Sequence, residues 1–149
     1  MNPLEILIKP WQEASKEAYL IRQKVFIQEQ GVPEDMELDE HDPSGKHALA
    51  YQHDLCVGTG RLVRLDSHYA QIGRMAVLST FRNQGIGKAI LNCLIALAKA
   101  EGVSTLMLHS QVSAIPFYAK YGFIAEGSIY DEAGIHHRNM ILSLTKTIE

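Results

Sequence analysis

The chain of 149 residues is poor in several things, and each shortage removes a class of protein. It has two cysteines, Cys56 and Cys93, far apart and without a Cys-x-x-Cys spacing. A disulfide scaffold and a dithiol redox motif are therefore both excluded, and two reduced thiols in a cytoplasmic protein are expected. There is no basic excess, since 14 Lys+Arg stand against 17 Asp+Glu for a formal charge of −3 with the seven His neutral. Binders of nucleic-acid phosphates carry the opposite imbalance, so no nucleic-acid partner is expected. No apolar stretch approaches the roughly 18 residues of a membrane span. The N-terminal run from Leu4 to Ile8 is interrupted by Glu5 and stopped by Lys9 and Pro10, too short for a signal peptide. The closing TKTIE carries no lipidation signal. Repeats, low-complexity tracts and Pro/Gly/Ser linkers are missing too, which leaves one domain over residues 1–149. What is present is an ordinary globular composition, 46% hydrophobic and 21% charged.

Periodicity divides this domain into ten elements. Residues 4–9 read as a strand. Residues 14–30 read as a helix with Ala18, Ile21, Val25 and Phe26 on one face, ended by Gly31-Val32-Pro33. An acidic, turn-rich stretch follows over residues 34–45. Three strands are expected over 47–53, 55–65 and 68–78, with turns short enough for antiparallel hairpins. Residues 84–101 form the strongest helix, with Ile86, Ile90, Leu91, Leu94, Leu97 and Ala98 at spacings of three and four and Gly102 as the stop. A short strand over 105–109 precedes a helix over 113–121, with Ser113 at its N-cap. Final strands over 123–126 and 139–144 are joined by a long turn through Asp131-Glu132-Ala133-Gly134. The order β α β β β α β α β β implies an α/β domain. Its sheet is mixed and mostly antiparallel, with one right-handed parallel crossover in the second half.

Most of the chemical information lies where the third of those hairpin strands turns into the strongest helix. There Arg82-Asn83-Gln84-Gly85-Ile86-Gly87-Lys88 leads directly into the helix. A helix start offers free backbone N–H groups and the positive end of the dipole. Gly85 and Gly87 allow an anion close to the backbone. Arg82 and Lys88 add positive charge, and Lys at a helix N-terminus needs a reason such as a bound phosphate. The segment is neither a P-loop, since position 89 is Ala, nor a dinucleotide fingerprint, since position 90 is Ile.

Arg82-x-x-Gly85-x-Gly87 after an apolar strand resembles the acetyl-CoA pyrophosphate loop of the GNAT N-acetyltransferases. Residues 108–123, LHSQVSAIPFYAKYGF, resemble that family's second block, in which Phe-Tyr is followed after three residues by Gly-Phe. Residues 22–33, RQKVFIQEQGVP, look most like its ElaA/YjcF-type subgroup. The resemblance covers essentially the whole chain. It implies a sheet of six to seven strands with helices on both faces, in which the fourth and fifth strands splay apart to admit pantetheine. On that reading the backbones of Met75, Ala76 and Val77 pair with pantetheine. Arg82, Asn83, Gln84, Gly85, Ile86, Gly87 and Lys88 hold the pyrophosphate, while Gln111 and Phe117 flank the arm.

The same resemblance puts Tyr118 at the position of the acid that protonates the departing thiolate. A phenol, with a reference pKa of about 10, suits that task. His109 and Glu29 are candidate bases. Glu29, Asp39 and His136 are candidate contacts to the acceptor. Asp35, Glu37, Asp39, Glu40 and Asp42 would form a negative rim drawing in a cationic amine. The partners expected are a small-molecule amine and, as an option, a second copy in a homodimer, with no membrane. Neither a zinc site nor an EF-hand spacing is present, so acetyl-CoA as co-substrate is expected without a metal. Two other readings compete with an acetyltransferase. One is a CoA-binding sensor or interaction module. The other is an acyl-homoserine-lactone-synthase-like acyltransferase, since that family shares the fold and an Arg-x-x-Val-Phe helix followed by acidic residues.

Overall fold

A computed structural model describes residues 4–144; the TKTIE reading lies outside them. Seven strands form one sheet in the order β1-β2-β3-β4-β5-β7-β6. They are β1 (Glu5–Pro10), β2 (Lys46–Gln52), β3 (Leu55–Arg64), β4 (Tyr69–Val77), β5 (Thr105–Gln111), β6 (Ile124–Glu132) and β7 (Ile135–Ser143). Three α-helices accompany them, α1 (Trp11–Arg22), α2 (Ile86–Ala100) and α3 (Ile115–Ala119). The element order and the mixed sheet are as the periodicity implied, and β4–β5 is the parallel pair.

Local chemistry explains where the elements turn. His53 and Asp54 both have positive φ, as a two-residue type I′ hairpin between β2 and β3 requires. Ala133 and Gly134 do the same between β6 and β7. The last hairpin is therefore tight, its strands reaching Glu132 and Ile135, where the sequence pointed to a long turn. Charged and polar residues crowd positions 131–139, so no apolar alternation marks the strands there. Ser113 is likewise no cap, because a 3₁₀ turn over Val112–Ala114 precedes α3 and Ala114 occupies the N-cap.

The first helix divides in two. α1 gives way at Gln23 to a π-helical segment, Gln23–Glu29. The i→i−5 bond from Gln30 N–H to the Val25 carbonyl belongs to that wider winding. Gly31, at φ +75°, ends it as expected, with Val32 N–H reaching back to the Phe26 carbonyl.

The main core lies between the sheet and α2, whose Ile86, Ile90, Leu91, Leu94 and Ala98 are buried. Gly58 and Gly60 of β3 explain how closely α2 sits. A Cβ on Gly60 would meet Met75 Sδ at 2.7 Å and Ile90 Cγ2 at 2.8 Å. These two glycines serve helix–sheet packing. The opposite sheet face is covered by α1 and the π-helical segment through Ala14, Ala18, Ile21 and Val25.

Candidate active site

The pairing of β4 with β5 stops early. It runs through Tyr69↔Thr105, Ala70↔Leu106 and Gln71↔Met107 and goes no further. Beyond it, β4 stays with β3 as far as Val77, and β5 stays with β7 as far as Gln111. The strands thus open as a V, leaving one backbone edge of Met75, Ala76 and Val77 without a partner strand. A bulge in β4 sharpens this opening. Two residues of β3, Thr59 and Arg61, face Ala76 and Gly73, and the extra β4 residue is accommodated by Arg74 at φ +49°.

A cleft of about 480 Å³ occupies the V. Leu108, His109, Ser110 and Gln111 all line it, although successive strand residues point to opposite faces. The cleft therefore passes through the sheet. On the α3 side it ends at Tyr118 and Ala114; on the other it reaches Phe26, Gln30, Met36, Arg74 and the last hairpin.

Tyr118 is 9% exposed, and burial pushes its phenol up to about 12. Its hydroxyl makes no hydrogen bond among the described residues. Its ring is fixed edge-on by Phe117 at 5.0 Å and Phe123 at 5.9 Å. A buried phenol with an unengaged hydroxyl at a cleft wall is a proton donor waiting for an acceptor. Phe117 also lies near Gly87, where an added Cβ would sit 3.7 Å from its ring.

At the mouth of the V, α2 begins. Gly85 is its N-cap, at φ +81°, and no side chain caps it. The first bond into the helix runs from Ala89 N–H to the Gly85 carbonyl, so the N–H groups of Ile86, Gly87 and Lys88 are left for a ligand or water. A Cβ on Gly85 would meet nothing within 4 Å, so the approach to those groups is open. Asn83, also at positive φ, and Gln84 are exposed in the turn before it. This cradle fits a pyrophosphate, and the V fits an extended arm added as a strand.

Several sequence expectations need correction. Arg82 is not a free cation: it holds the Val77 carbonyl at 2.9 Å and Glu29 through two bonds of 2.6 and 2.7 Å. Glu29 therefore braces the loop from outside the cleft, and Arg82 holds its carboxyl below the usual range. It is not among the residues that line the cleft. His136 is exposed, and its neighbour His137 lines the cleft instead; strand alternation decides between them. Gln111 does reach the V, but its amide N–H donates to Gln30 Oε1 at 2.8 Å, bridging the gap.

The negative rim is largely neutralised. Glu37 and Asp42 are each 2% exposed and converge on Arg22, which is itself fully buried. Arg22 Nε and its terminal nitrogen bind the Glu37 carboxylate and carbonyl, and two further bonds reach Asp42 at 2.8 and 3.1 Å. Asp39 does border the cleft, yet it is bound by Arg61 at 2.7 Å and Arg74 at 3.1 Å. Burial works to raise the Asp39 carboxyl, but these arginines outweigh it and hold it low. Burial does raise Glu37 despite Arg22. The loop that looked like bait for a cation is a strap pinned by three arginines from α1, β3 and β4.

Several cleft residues escaped the sequence reading, Gln30, Arg74, Glu132 and His137 among them. The αL bulge that turns Arg74 inward leaves no sequence signal, since Arg is not a residue favoured at positive φ. Glu132 and His137 depend on strand register, and Gln30 on the π-helical winding that precedes it.

Comparison with known proteins agrees with this geometry. A family profile described as "Acetyltransferase (GNAT) domain" matches residues 11–144. The Bacillus subtilis protein named "Uncharacterized N-acetyltransferase YjcF" is 34% identical over 140 residues, covering 93% of this chain and 99% of that protein. A Lactobacillus plantarum crystal structure, provisionally described as an N-acetyltransferase, is 29% identical with a TM-score of 0.87, covering 97% of this chain and 100% of its own. An Elizabethkingia anophelis GNAT structure with acetyl-CoA bound is 22% identical and shares the fold at a TM-score of 0.72, covering 93% and 98%. The chain belongs to the GNAT family of acetyl-CoA-dependent N-acetyltransferases.

Proposed function

We propose that the chain transfers the acetyl group of acetyl-CoA to a primary amine of a small acceptor by direct attack on the thioester. The observation that carries this is the continuity of three features. The unpaired β4 edge and the unengaged Tyr118 hydroxyl border one cleft that crosses the sheet, and the uncapped α2 start lies beside Val77 at the end of that edge and beside Phe117, next to Tyr118.

Ile86, Gly87 and Lys88 would hold the pyrophosphate by their N–H groups, and the edge of Met75–Val77 would hold the pantetheine. Bound there, acetyl-CoA supplies an activated acetyl group. His109 takes the proton that an acceptor ammonium must lose before its nitrogen can attack. The nitrogen lone pair forms the new N–C bond as the C–S bond breaks, and Tyr118 gives its proton to the sulfur. The second proton shed by the nitrogen, as the amide forms, restores Tyr118. A backbone N–H of the β4 edge polarises the carbonyl.

Support for a cationic acceptor comes from the negative charge that Glu132 leaves in the cleft, acting through its field and not by contact, rather than from the acidic loop. Glu132 is the cleft carboxylate with no arginine partner among the described residues. Incubation with acetyl-CoA and a panel of primary amines tests the reading. Amine-dependent release of free thiol is expected. Tight CoA binding without release for any amine overturns it in favour of a binding module.

A further inference from the structure

The register of the last three strands gathers a set of polar side chains that the family signature does not name. His109 faces Asn139 and Gln111 faces His137 across β5–β7; Tyr130 faces His137 and Glu132 faces Ile135 across β6–β7. Directly opposed residues share a sheet face. One face of this three-strand unit therefore presents His109, Gln111, Tyr130, Glu132, His137 and Asn139 side by side, next to the cleft.

Their contacts are ordered. His109 Nδ1 lies 3.2 Å from Glu132 Oε1. Glu132's other oxygen lies 3.7 Å from His137 Nε2. His137 is held in turn by its Nδ1, 2.7 Å from the Ile135 carbonyl, and by the Tyr130 ring stacked at 6.0 Å. Tyr130 also meets His109 edge-on at 6.0 Å and donates to Asn139 Oδ1 at 2.5 Å. A carboxylate accepts from a ring nitrogen only if that nitrogen carries the hydrogen. Glu132 thus selects the Nδ1–H form of neutral His109 and leaves the lone pair on Nε2, the nitrogen turned away from the carboxylate.

We propose that Glu132 is a positioning residue for the reaction, setting the tautomer and ring orientation of His109 so that Nε2 receives the acceptor's proton. The inference rests on the assignment of His109 as base given above. Glu132 acts before any acetyl group moves and touches no reacting atom. Free imidazole prefers the other tautomer in water, so the selection must come from the hairpin.

Two measurements test it together. In the first, the chain carries ¹⁵N-labelled histidine and is observed by NMR at a pH where His109 is neutral, without ligand. The wild type should show a protonated Nδ1 and a bare Nε2. Glu132→Ala should lose that preference, and Glu132→Gln, whose amide oxygen still accepts, should keep it. An unchanged pattern in Glu132→Ala overturns the inference. Glu132 is 42% exposed at a hairpin end, so its replacement spares the fold. In the second, kinetics use acetyl-CoA and the best amine of the panel. Glu132→Ala should lower kcat about tenfold or more, part of the 10²–10⁴-fold that a placed base supplies, with KM for acetyl-CoA unchanged. Glu132→Gln should recover more of kcat than Glu132→Ala. A rise in acceptor KM with kcat intact would overturn the inference, making Glu132 an acceptor contact. The failure of the base assignment looks different: His109→Gln would keep full kcat while the NMR pattern still followed Glu132.

Discussion

Asp42→Asn is a sharp probe of the strap that forms one cleft wall. Four donors converge on this carboxylate: Arg22 at 2.8 and 3.1 Å, Arg61 at 3.0 Å and the Asp39 N–H at 3.1 Å. Burial works to raise its pKa, but Arg22 above all, with the Asp39 N–H and Arg61, brings it from 3.8 down to about 2. That difference is worth about 2–3 kcal/mol at about 1.4 kcal/mol per pH unit. Asparagine keeps the shape but turns an N–H₂ toward guanidinium donors and leaves two buried arginines short of a charge. Breaking a buried pair from one side typically costs about 3–5 kcal/mol, and Arg22 and Arg61 retain Glu37 and Asp39, which favours the lower end. A loss of about 3 kcal/mol, and a Tm lower by about 6–12 °C, is expected at pH 7. Because the folded value lies below the unfolded one, the carboxylate's contribution is complete above about pH 4 and is lost as pH falls through about 2. Urea titrations of both proteins at pH 7, 5, 4 and 2.5 should therefore show the gap narrowing toward acid. A gap within about 0.5 kcal/mol at pH 7, the usual range of an inert surface change, would refute the account. So would a gap that stays constant down to pH 2.5.

Three further outcomes are expected. Tyr118→Phe should lower kcat on the order of 10²-fold while stability holds or rises slightly, because the lost hydroxyl has no partner to orphan; thermal melts and thiol-release kinetics check both halves. Gly85→Trp should weaken CoA binding at least tenfold by calorimetry, since its side chain would fill the open approach to the α2 start; unchanged affinity would remove the pyrophosphate assignment. Gly60→Ala should cost about 1–3 kcal/mol by denaturation, since its Cβ would press on Met75, Ile90 and Leu94; a neutral result would mean that α2 yields more freely than its packing implies.

Signals are legible where the structure they specify is local. Gly85 at the N-cap of α2 and the apolar stripe buried along that helix are each set within one turn or one helix. The acidic stretch misled because the neutralising groups, Arg22, Arg61 and Arg74, arrive from three separate elements, and a composition of like charges cannot reveal partners 15 to 37 residues away. His136 and His137 could not be told apart without the strand register, since a shift of one residue reverses the face. Glu132 looked like a turn residue for the same reason: the type I′ hairpin at Ala133-Gly134 was hidden by an alanine in a conformation usually left to Asn, Asp or Gly.

The π-helical segment makes one point of the cleft wall easy to revise. Its winding stores about one surplus residue relative to an α-helix. Removing a single residue between positions 23 and 28 would let the segment rewind regularly, while α1 before it and Glu29 and Gln30 after it stayed close to where they are. The Arg82–Glu29 and Gln111–Gln30 contacts would then persist, and the residue standing at the cleft wall in place of Phe26 would change. One codon lost would thus alter the wall locally, with the rest of the scaffold kept in register.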